Sequence, residues 1–174
     1  MPPATFTVMA MDESPAVLID PYAASLPRKW MGASVLLRNA AGEVLLVDPV
    51  YKPEFEMPGG SIDQGESPQA AARREVAEEL ALDRPVGRLL VVDWVPPRPG
   101  WPHDGMIFMY DGGVLDEEEI AAIRLQEEEL AGWVFASPEQ VPTLVPAVPA
   151  RRIAAGLRVV GGGATISMED GYVR

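Results

Sequence analysis

The sequence predicts one domain of mixed α/β class, and three observations support that prediction. Two short apolar runs, residues 33–38 and 43–48, are joined by Asn39-Ala40-Ala41-Gly42 and predict a β-hairpin. Residues 69–80 are nearly all good helix formers, and they follow a Ser67-Pro68 pair that suits the start of a helix. Hydrophobic residues form 48% of the 174-residue chain, the usual share for a domain with a buried core. Strands and helices around one core are therefore expected.

The other elements follow from local patterns along the chain. Residues 1–30 contain five prolines without a sustained period, so we expect an irregular N-terminal arm. Residues 31–160 form the predicted domain, and residues 161–174, which open with three glycines, form a predicted C-terminal tail. Further strands and helices are expected inside the domain. The strands cover 54–60, 88–95, 106–110, 123–126 and 133–135, and the helices begin at Ser137 and at Pro149.

Charge and cysteine content exclude several classes of function. The chain has 26 acidic and 14 basic residues, a net charge of −12, and it lacks the basic stripe that a nucleic acid polymer requires. Its longest apolar runs are far shorter than the roughly 20 residues that cross a bilayer, and residues 1–10 lack the basic segment and long apolar stretch that are typical of a signal peptide. Without cysteine, neither disulfides nor thiolate chemistry can be invoked. We therefore expect a soluble, cytoplasmic protein that binds neither nucleic acid polymers nor membranes.

Three glutamates share one face of the predicted helix. Glu75, Glu78 and Glu79 stand at positions i, i+3 and i+4, where like charges disfavour a helix by roughly 0.2–0.5 kcal/mol per pair. A divalent cation bound by their oxygens would reverse that sign, and Mg²⁺ is commonly held by one or two carboxylates together with substrate phosphates. If only these three glutamates are considered, an acidic helix face exposed to solvent is the simpler interpretation.

The residues around this helix resemble a known family signature. From Gly60 to Leu82 the chain reads GSIDQGESPQAAARREVAEELAL, which resembles the Nudix hydrolase box G-x5-E-x7-R-E-U-x-E-E-x-G-U, where U is aliphatic. Every fixed position agrees except one, because Ala81 stands where the family has glycine. Glycine there supplies a left-handed residue, a conformation that costs alanine about 1–2 kcal/mol. The sequence therefore leaves two alternatives for the end of the helix. The helix can end at a left-handed Ala81, or it can continue toward Asp83.

The resemblance implies an α/β/α sandwich, with a mixed β-sheet between helices, that cleaves the diphosphate linkage of a nucleoside diphosphate derivative. Water attacks phosphorus in this chemistry, and Mg²⁺, with Mn²⁺ as a substitute, is the implied cofactor. Glu78 and Glu79 would be the principal metal ligands, assisted by the backbone carbonyl of Gly60. Glu75 would be either a third ligand or the base that deprotonates the water.

Two further positions of the box have implied supporting roles. Arg74 would orient the carboxylates through charge-assisted hydrogen bonds. Glu66 would stabilise the loop and the start of the helix, where a negative charge is favoured.

A second acidic run, Glu127-Glu128-Glu129, precedes the predicted strand at 133–135. Many members of the family bring one more carboxylate to the metals from a late loop, and Glu128 is the member of the run that we favour. The alternative is that all three lie on a solvated loop.

Candidate substrate contacts lie outside the box. A proline-rich loop at 96–105 is stiff enough to border a pocket, where Trp101 could stack on a nucleobase and Arg98 could hold a phosphate. Structural packing is the alternative role for Trp101. Tyr51 is a weaker stacking candidate, and His103 is expected to be an ordinary loop residue.

Two other functions are alternatives to hydrolysis. Isopentenyl diphosphate isomerases share the Nudix fold, but their chemistry resembles one that needs a cysteine, which this chain lacks. A catalytically inactive nucleotide-binding or regulatory protein is the remaining alternative, although the glutamates of the box are intact. The N-terminal arm could pair with a second subunit in a homodimer or fold over its own pocket. The sequence does not name the substrate.

Overall fold

A mixed eight-stranded sheet organises the chain in the computed structural model, which describes residues 19–174. Its strands are β1 Trp30–Arg38, β2 Val44–Pro49, β3 Gly59–Ser61, β4 Leu89–Val95, β5 Gly105–Val114, β6 Leu130–Ala136, β7 Ile166–Glu169 and β8 Tyr172–Val173. The strand order in the sheet is β6-β2-β1-β5-β4-β7-β8, and β3 also pairs with β1. The β1–β5 and β4–β7 pairs are parallel, and the other pairs are antiparallel.

Five helices accompany the sheet within residues 19–174: α1 Pro21–Ser25, α2 Pro68–Leu80, α3 Glu117–Ala122, α4 Val141–Leu144 and α5 Ala147–Leu157. Helix α2 begins as the sequence predicts, because Ser67 Oγ accepts a hydrogen bond from the Ala70 amide over 3.2 Å and Pro68 occupies its first turn. None of these helices is long and apolar enough to cross a membrane.

Two hydrophobic clusters place helices on both faces of the sheet. Val35 of β1 packs in one cluster with Val76 and Leu80 of α2, and all three are 1% exposed or less. Leu36, the next residue of β1, packs in the other cluster with Ile153 of α5. Successive residues of a strand point to opposite faces. The sheet therefore lies between two helical layers, and the expected α/β/α sandwich is confirmed.

The predicted hairpin is present, but it is splayed. Residues Arg38 and Val44 pair at its turn, where Asn39 Oδ1 accepts hydrogen bonds from the Ala41 and Glu43 amides, each over 3.0 Å. Beyond the turn, β2 pairs with β6 on its other side, and β1 pairs with β3 and β5. This divergence lets β3, which leads into α2, join the sheet beside β1.

The structure shows where α2 ends. Helix α2 ends at Leu80, and Ala81 adopts the left-handed conformation, with φ 55° and ψ 29°. The alternative that the helix continues toward Asp83 is therefore wrong. Alanine takes the conformation that glycine normally supplies at this point, and it carries the steric cost of doing so.

The predicted C-terminal tail is corrected by the structure. Residues 161–174 contain β7 and β8, and β7 runs parallel to β4 from the Val91–Ile166 pair to the Trp94–Glu169 pair. The turn between β7 and β8 is tied down by Asp93, whose two carboxylate oxygens each accept from the Gly171 amide over 3.1 Å. Three glycines followed by a four-residue strand give no clear hydrophobic pattern in the sequence. The strand β7 is therefore recognised only from its pairing with the distant β4.

Two other predictions at the element level are corrected. Residues 123–126, predicted as a strand, form a loop that hydrogen-bonds to the end of α2, through Arg124 N to Leu80 O and Gln126 N to Glu79 O. The helix predicted from Ser137 begins only at Val141. Most of the predicted N-terminal arm, residues 1–18, lies outside the described residues, and its proposed part in a dimer stays a prediction.

Candidate active site

Two consecutive glycines bring α2 and β1 close to the same point. Gly59 has a φ of +143°, and a Cβ atom there would lie 2.2 Å from the Ala33 carbonyl oxygen. A Cβ atom at Gly60 would lie 2.5 Å from Glu75 Oε1. The first contact excludes a side chain at Gly59 on steric grounds, and the second shows that the Glu75 carboxylate packs directly against the Gly60 backbone.

Glu79 is a buried carboxylate beside this backbone. Its side chain is 5% exposed, and Oε2 accepts a hydrogen bond from the Gly59 amide over 2.9 Å. Burial raises the pKa of Glu79 to about 8, and the negative charges of Glu75, Glu56 and Glu129 add to the effect. The Gly59 amide acts in the opposite direction but does not compensate.

Glu75 lies one helical turn before Glu79 on the same face of α2. Its side chain is 13% exposed. Burial also raises the pKa of Glu75, even though the Arg74 guanidinium opposes the shift. Burial is therefore the main reason that these two neighbouring carboxylates both resist ionisation, and nearby negative charges add to it.

Arg74 ties the loop before α2 to the helix. Its guanidinium pairs with both oxygens of Glu66, over 3.0 Å each, and donates to the Ser61 carbonyl over 3.0 Å. The Arg74 guanidinium lowers the pKa of Glu66. Arg74 Nη1 also contacts Glu75 Oε1 at 2.9 Å and Glu78 Oε2 at 2.8 Å. The predicted orienting and loop-stabilising residues therefore form one network.

The third helix glutamate, Glu78, has a different environment. Its side chain is 52% exposed and is paired with Arg74. Among residues 19–174, no three acidic or histidine side chains converge closely enough to enclose a metal ion by themselves. Glu78 could join Glu75 and Glu79 around a cation only by releasing Arg74.

The donor set at this point nevertheless fits a hard divalent cation. Glu75 and Glu79 supply two carboxylates whose pKa values are raised by burial and, to a smaller extent, by neighbouring negative charges. Mg²⁺ is usually held by one or two carboxylates, and water and substrate phosphates complete its octahedral shell. A cation between these side chains would supply the missing positive charge.

One residue of the acidic run at 127–129 acts on the helix carboxylates. The charge of Glu129 helps to raise the pKa values of Glu75 and Glu79. The Glu129 carbonyl accepts a hydrogen bond from the Val50 amide over 2.9 Å, which fixes the run beside the end of β2. Glu129 is therefore a second candidate acid of this loop, and the role of Glu128 stays a prediction.

Glu56 was missed by the sequence analysis. It bridges to Val47 of β2 in antiparallel fashion, and its charge also acts on Glu79. Its carboxylate accepts a hydrogen bond from the Tyr51 hydroxyl over 2.8 Å and pairs with Lys52. The only sequence signal was its position shortly before the Pro-Gly-Gly turn. Burial, followed by the contact with Glu56, raises the pKa of Tyr51.

A cleft of about 520 Å³ opens beside Gly60 and is lined by several of the predicted substrate contacts. Tyr51 and Trp101 both line it, and their exposed fractions are 69% and 59%. The Trp101 ring meets the Trp30 ring edge to face, with centroids 5.4 Å apart. Tyr51, Gly60 and Trp101 are therefore brought together on one cleft.

The proline-rich loop owes its shape to local hydrogen bonds. Arg98 and Trp101 exchange backbone hydrogen bonds over 2.9 and 2.8 Å, and the His103 carbonyl accepts from Trp30 Nε1 over 3.0 Å. The Arg98 side chain pairs with Asp170 over 2.7 Å and lines a smaller adjoining cavity. It does not line the cleft beside Gly60, and its predicted contact with a substrate phosphate stays a prediction.

Comparisons with known proteins agree with this architecture. Residues 28–155 match the NUDIX domain. A Bacillus subtilis (strain 168) protein named "Putative 8-oxo-dGTP diphosphatase" is 31% identical over 125 residues, which make up 70% of this chain and 74% of that protein. An RNA pyrophosphohydrolase of Rhodospirillum rubrum is 44% identical over 59 residues, 33% of this chain and 35% of that protein.

A solved structure has the same fold. The MutT protein from Methanosarcina mazei Go1 superposes with a TM-score of 0.64 at 21% identity, over 77% of this chain and 97% of that chain. The sandwich and the carboxylate-bearing helix beside its cleft define a Nudix-type hydrolase fold. The chain belongs to the NUDIX family, and as an enzyme it is a Nudix-type pyrophosphohydrolase.

Proposed function

We propose that this protein is a Mg²⁺-dependent hydrolase that cleaves the diphosphate linkage of a small nucleoside diphosphate derivative in the cytoplasm, by attack of water at phosphorus. The observation that carries the proposal is the pairing of Glu75 and Glu79. Both carboxylates have raised pKa values, and they lie against the Gly59–Gly60 backbone that lines the cleft. Perturbed carboxylates in a cleft are typical of functional sites.

The residues of the site divide into holding and positioning groups. Glu75, Glu79 and the Gly60 carbonyl would hold the metal. When bound, Mg²⁺ would neutralise phosphate charge and polarise the P–O bond. Arg74 positions Glu75 through its 2.9 Å contact, and Glu66 holds Arg74 from the other side. Glu129, whose charge acts on both Glu75 and Glu79, is the second candidate, after Glu75, for the group that accepts the proton of the attacking water.

The substrate class follows from chemistry that the relatives share. The name 8-oxo-dGTP diphosphatase describes a nucleotide substrate and the name RNA pyrophosphohydrolase describes an RNA substrate, and both describe cleavage of a phosphoric anhydride. The cleft of about 520 Å³ and its aromatic wall suit one nucleotide rather than a polymer. The net charge of −12 supports the same choice, because a polyanion would be repelled beyond the metal site.

The proposal is tested by release of phosphate or pyrophosphate from a panel of nucleoside triphosphates and nucleoside diphosphate derivatives with Mg²⁺. Wild type should turn over at least one member, and Glu79→Gln should lose activity by roughly 100-fold or more, the order expected when a group essential to catalysis is removed. Glu118→Gln, at an exposed position of α3, is the matched control and should keep wild-type activity. Nucleotide binding without metal-dependent turnover on any member would favour the inactive binding protein instead.

A further inference from the structure

The cleft continues into a smaller cavity of about 160 Å³ at its far end. The two cavities share Trp30, Trp101, Ile107 and Arg152, but the smaller one includes no residue of β3 or α2. Apart from two arginines, its lining is apolar or aromatic. An inner cavity of this composition suits a flat ring system more than a phosphate.

Arg152 is held rigidly in this inner cavity. It lies on α5, is 9% exposed, and donates through Nε to Asp93 Oδ2 over 2.5 Å. Asp93 on β4 is fully buried and also accepts from the Gly171 amide. The guanidinium therefore cannot swing out to solvent without leaving a buried carboxylate unpaired, which costs several kcal/mol.

The two terminal nitrogens of Arg152 have no acceptor within residues 19–174, although the side chain lines both cavities. Ser34, on the wall of the larger cleft, also has a buried hydroxyl without a partner in the described part of the chain. The Ser34 hydroxyl is fully buried, and an unmade buried hydrogen bond costs about 1–3 kcal/mol. The terminal nitrogens of Arg152 are not among the fully buried unpaired atoms, so they stay accessible from the cavities. A bound molecule with acceptor atoms would satisfy the arginine.

Local charge decides which kind of acceptor fits. Arg152 is neutralised by Asp93, and Arg98 is neutralised by Asp170 over 2.7 Å. Two positive and two negative side chains leave the inner cavity with no net charge. A neutral heterocycle is thus favoured over a second phosphate, which would need excess positive charge.

We propose that the inner cavity binds the nucleobase of the substrate and that Arg152 selects 6-oxopurines, the guanine and hypoxanthine type, over adenine. This inference rests on the proposed function of the neighbouring site. Arginine has only donors, and it pairs with the O6 and N7 acceptors of guanine. Adenine presents an amino group at position 6, so two donors would face each other. Trp101 supplies an aromatic surface on which the ring can stack.

The test uses inosine and adenosine compounds, which differ at position 6 of the ring. Wild type should show a kcat/KM for inosine triphosphate or the matching diphosphate derivative roughly 5- to 150-fold above that for the adenosine compound. Binding of the two monophosphates without metal, followed by tryptophan fluorescence, should give a preference of the same sign. This second measurement does not depend on turnover or on any variant.

Arg152→Lys is the diagnostic variant, because lysine keeps the charge but cannot serve Asp93 and a base edge together. In this variant the kcat/KM for the inosine compound should lie within about twofold of that for the adenosine compound. This is the result expected when the arginine no longer contacts both O6 and N7 of the base. Arg174→Lys, at an exposed ion pair with Glu169, should leave the ratio of the two kcat/KM values unchanged. A thermal melt establishes that each variant is folded.

The outcomes separate the two proposals. A wild type that hydrolyses both compounds equally, or prefers adenosine or uridine compounds, overturns base selection and leaves hydrolysis standing. A folded Arg152→Lys that keeps the preference also overturns the role of Arg152. A preference in monophosphate binding without any turnover supports base selection while refuting the proposed function.

Discussion

The Gly59 amide donates a hydrogen bond to Glu79 Oε2 over 2.9 Å. This bond connects the first residue of β3 to the buried glutamate near the end of α2. The two residues are 20 positions apart in sequence. The contact binds the turn before the box to the last turn of α2. It therefore fixes the backbone carbonyls of the glycine turn and the helix carboxylates relative to one another, which a shared metal ion requires.

The stability of the metal-free protein should depend on pH through Glu79. Its pKa rises from 4.5 to about 8 on folding, so the folded state holds the proton more tightly. The contribution of Glu79 to stability is complete below about pH 4.5 and is lost as the pH rises toward 8, by an amount on the order of several kcal/mol at roughly 1.4 kcal/mol per pKa unit. Urea denaturation of chelator-treated protein at pH 5 and 8 measures the fall.

Glu79→Gln removes the titrating group, so its stability should change much less over the same interval. Glu118→Gln should follow wild type, because Glu118 is exposed on α3. If the free energy of unfolding changed equally with pH in wild type and Glu79→Gln, the claim that burial raises the pKa of Glu79 would be contradicted.

Divalent cations should stabilise the protein. Binding to the folded state raises the free energy of unfolding by RT ln(1 + [Mg²⁺]/Kd), about 2.7 kcal/mol at 100 times Kd. We expect an increase in Tm with millimolar Mg²⁺ or Mn²⁺ for wild type and a much smaller one for Glu79→Gln. An unchanged wild-type Tm with both metals, with and without nucleotide, would refute the metal site.

Ala81→Gly should stabilise the fold. Alanine at φ 55° and ψ 29° carries a left-handed penalty of about 1–2 kcal/mol, whereas glycine loses only about 0.4–1 kcal/mol through its more flexible unfolded state. The expected net gain is about 0.5–1 kcal/mol in urea denaturation. Ala77→Gly, inside the same helix, should instead lose about 1 kcal/mol. Equal losses at both positions would mean that Ala81 is unstrained.

Asp93→Asn should strongly destabilise the protein. The change leaves Arg152 as a buried charge without its partner, at a cost of about 3–5 kcal/mol, and it weakens the anchor of the β7–β8 turn at Gly171. Asp83→Asn breaks an exposed pair with Arg73, whose side chains are 76% and 58% exposed, and should cost less than about 1 kcal/mol. Similar losses for the two variants would show that the Asp93 pair is solvated.

Local sequence predicted the parts of the fold that depend on short-range physics. The Ser67-Pro68 start of α2 and the shared face of its glutamates follow from capping and helical spacing. The α/β/α sandwich followed from the resemblance of the box. The pairing of β7 with β4 could not be predicted, because register between distant strands has no local signature in a four-residue segment.

The sequence could predict the candidate site residues that lie in one continuous motif. It could not predict the residues that separate elements bring to the cleft. Glu66, Arg74 and Glu79 belong to one motif, and their contacts are the ones that its spacing allows. Glu56 and Arg152 come from other elements, and only the register of β2 and the packing of α5 bring them to the cleft. The choice between Glu128 and Glu129 depends on the path of one loop.

Hydrolysis in ¹⁸O-labelled water tests the central claim most directly. Wild type with Mg²⁺ and a turned-over nucleotide should place the label in a phosphoryl group of one product, and neither Glu79→Gln nor chelator-treated wild type should form labelled product at a comparable rate. Label confined to a product without phosphorus, or labelled phosphate that forms equally well without metal, would contradict the account.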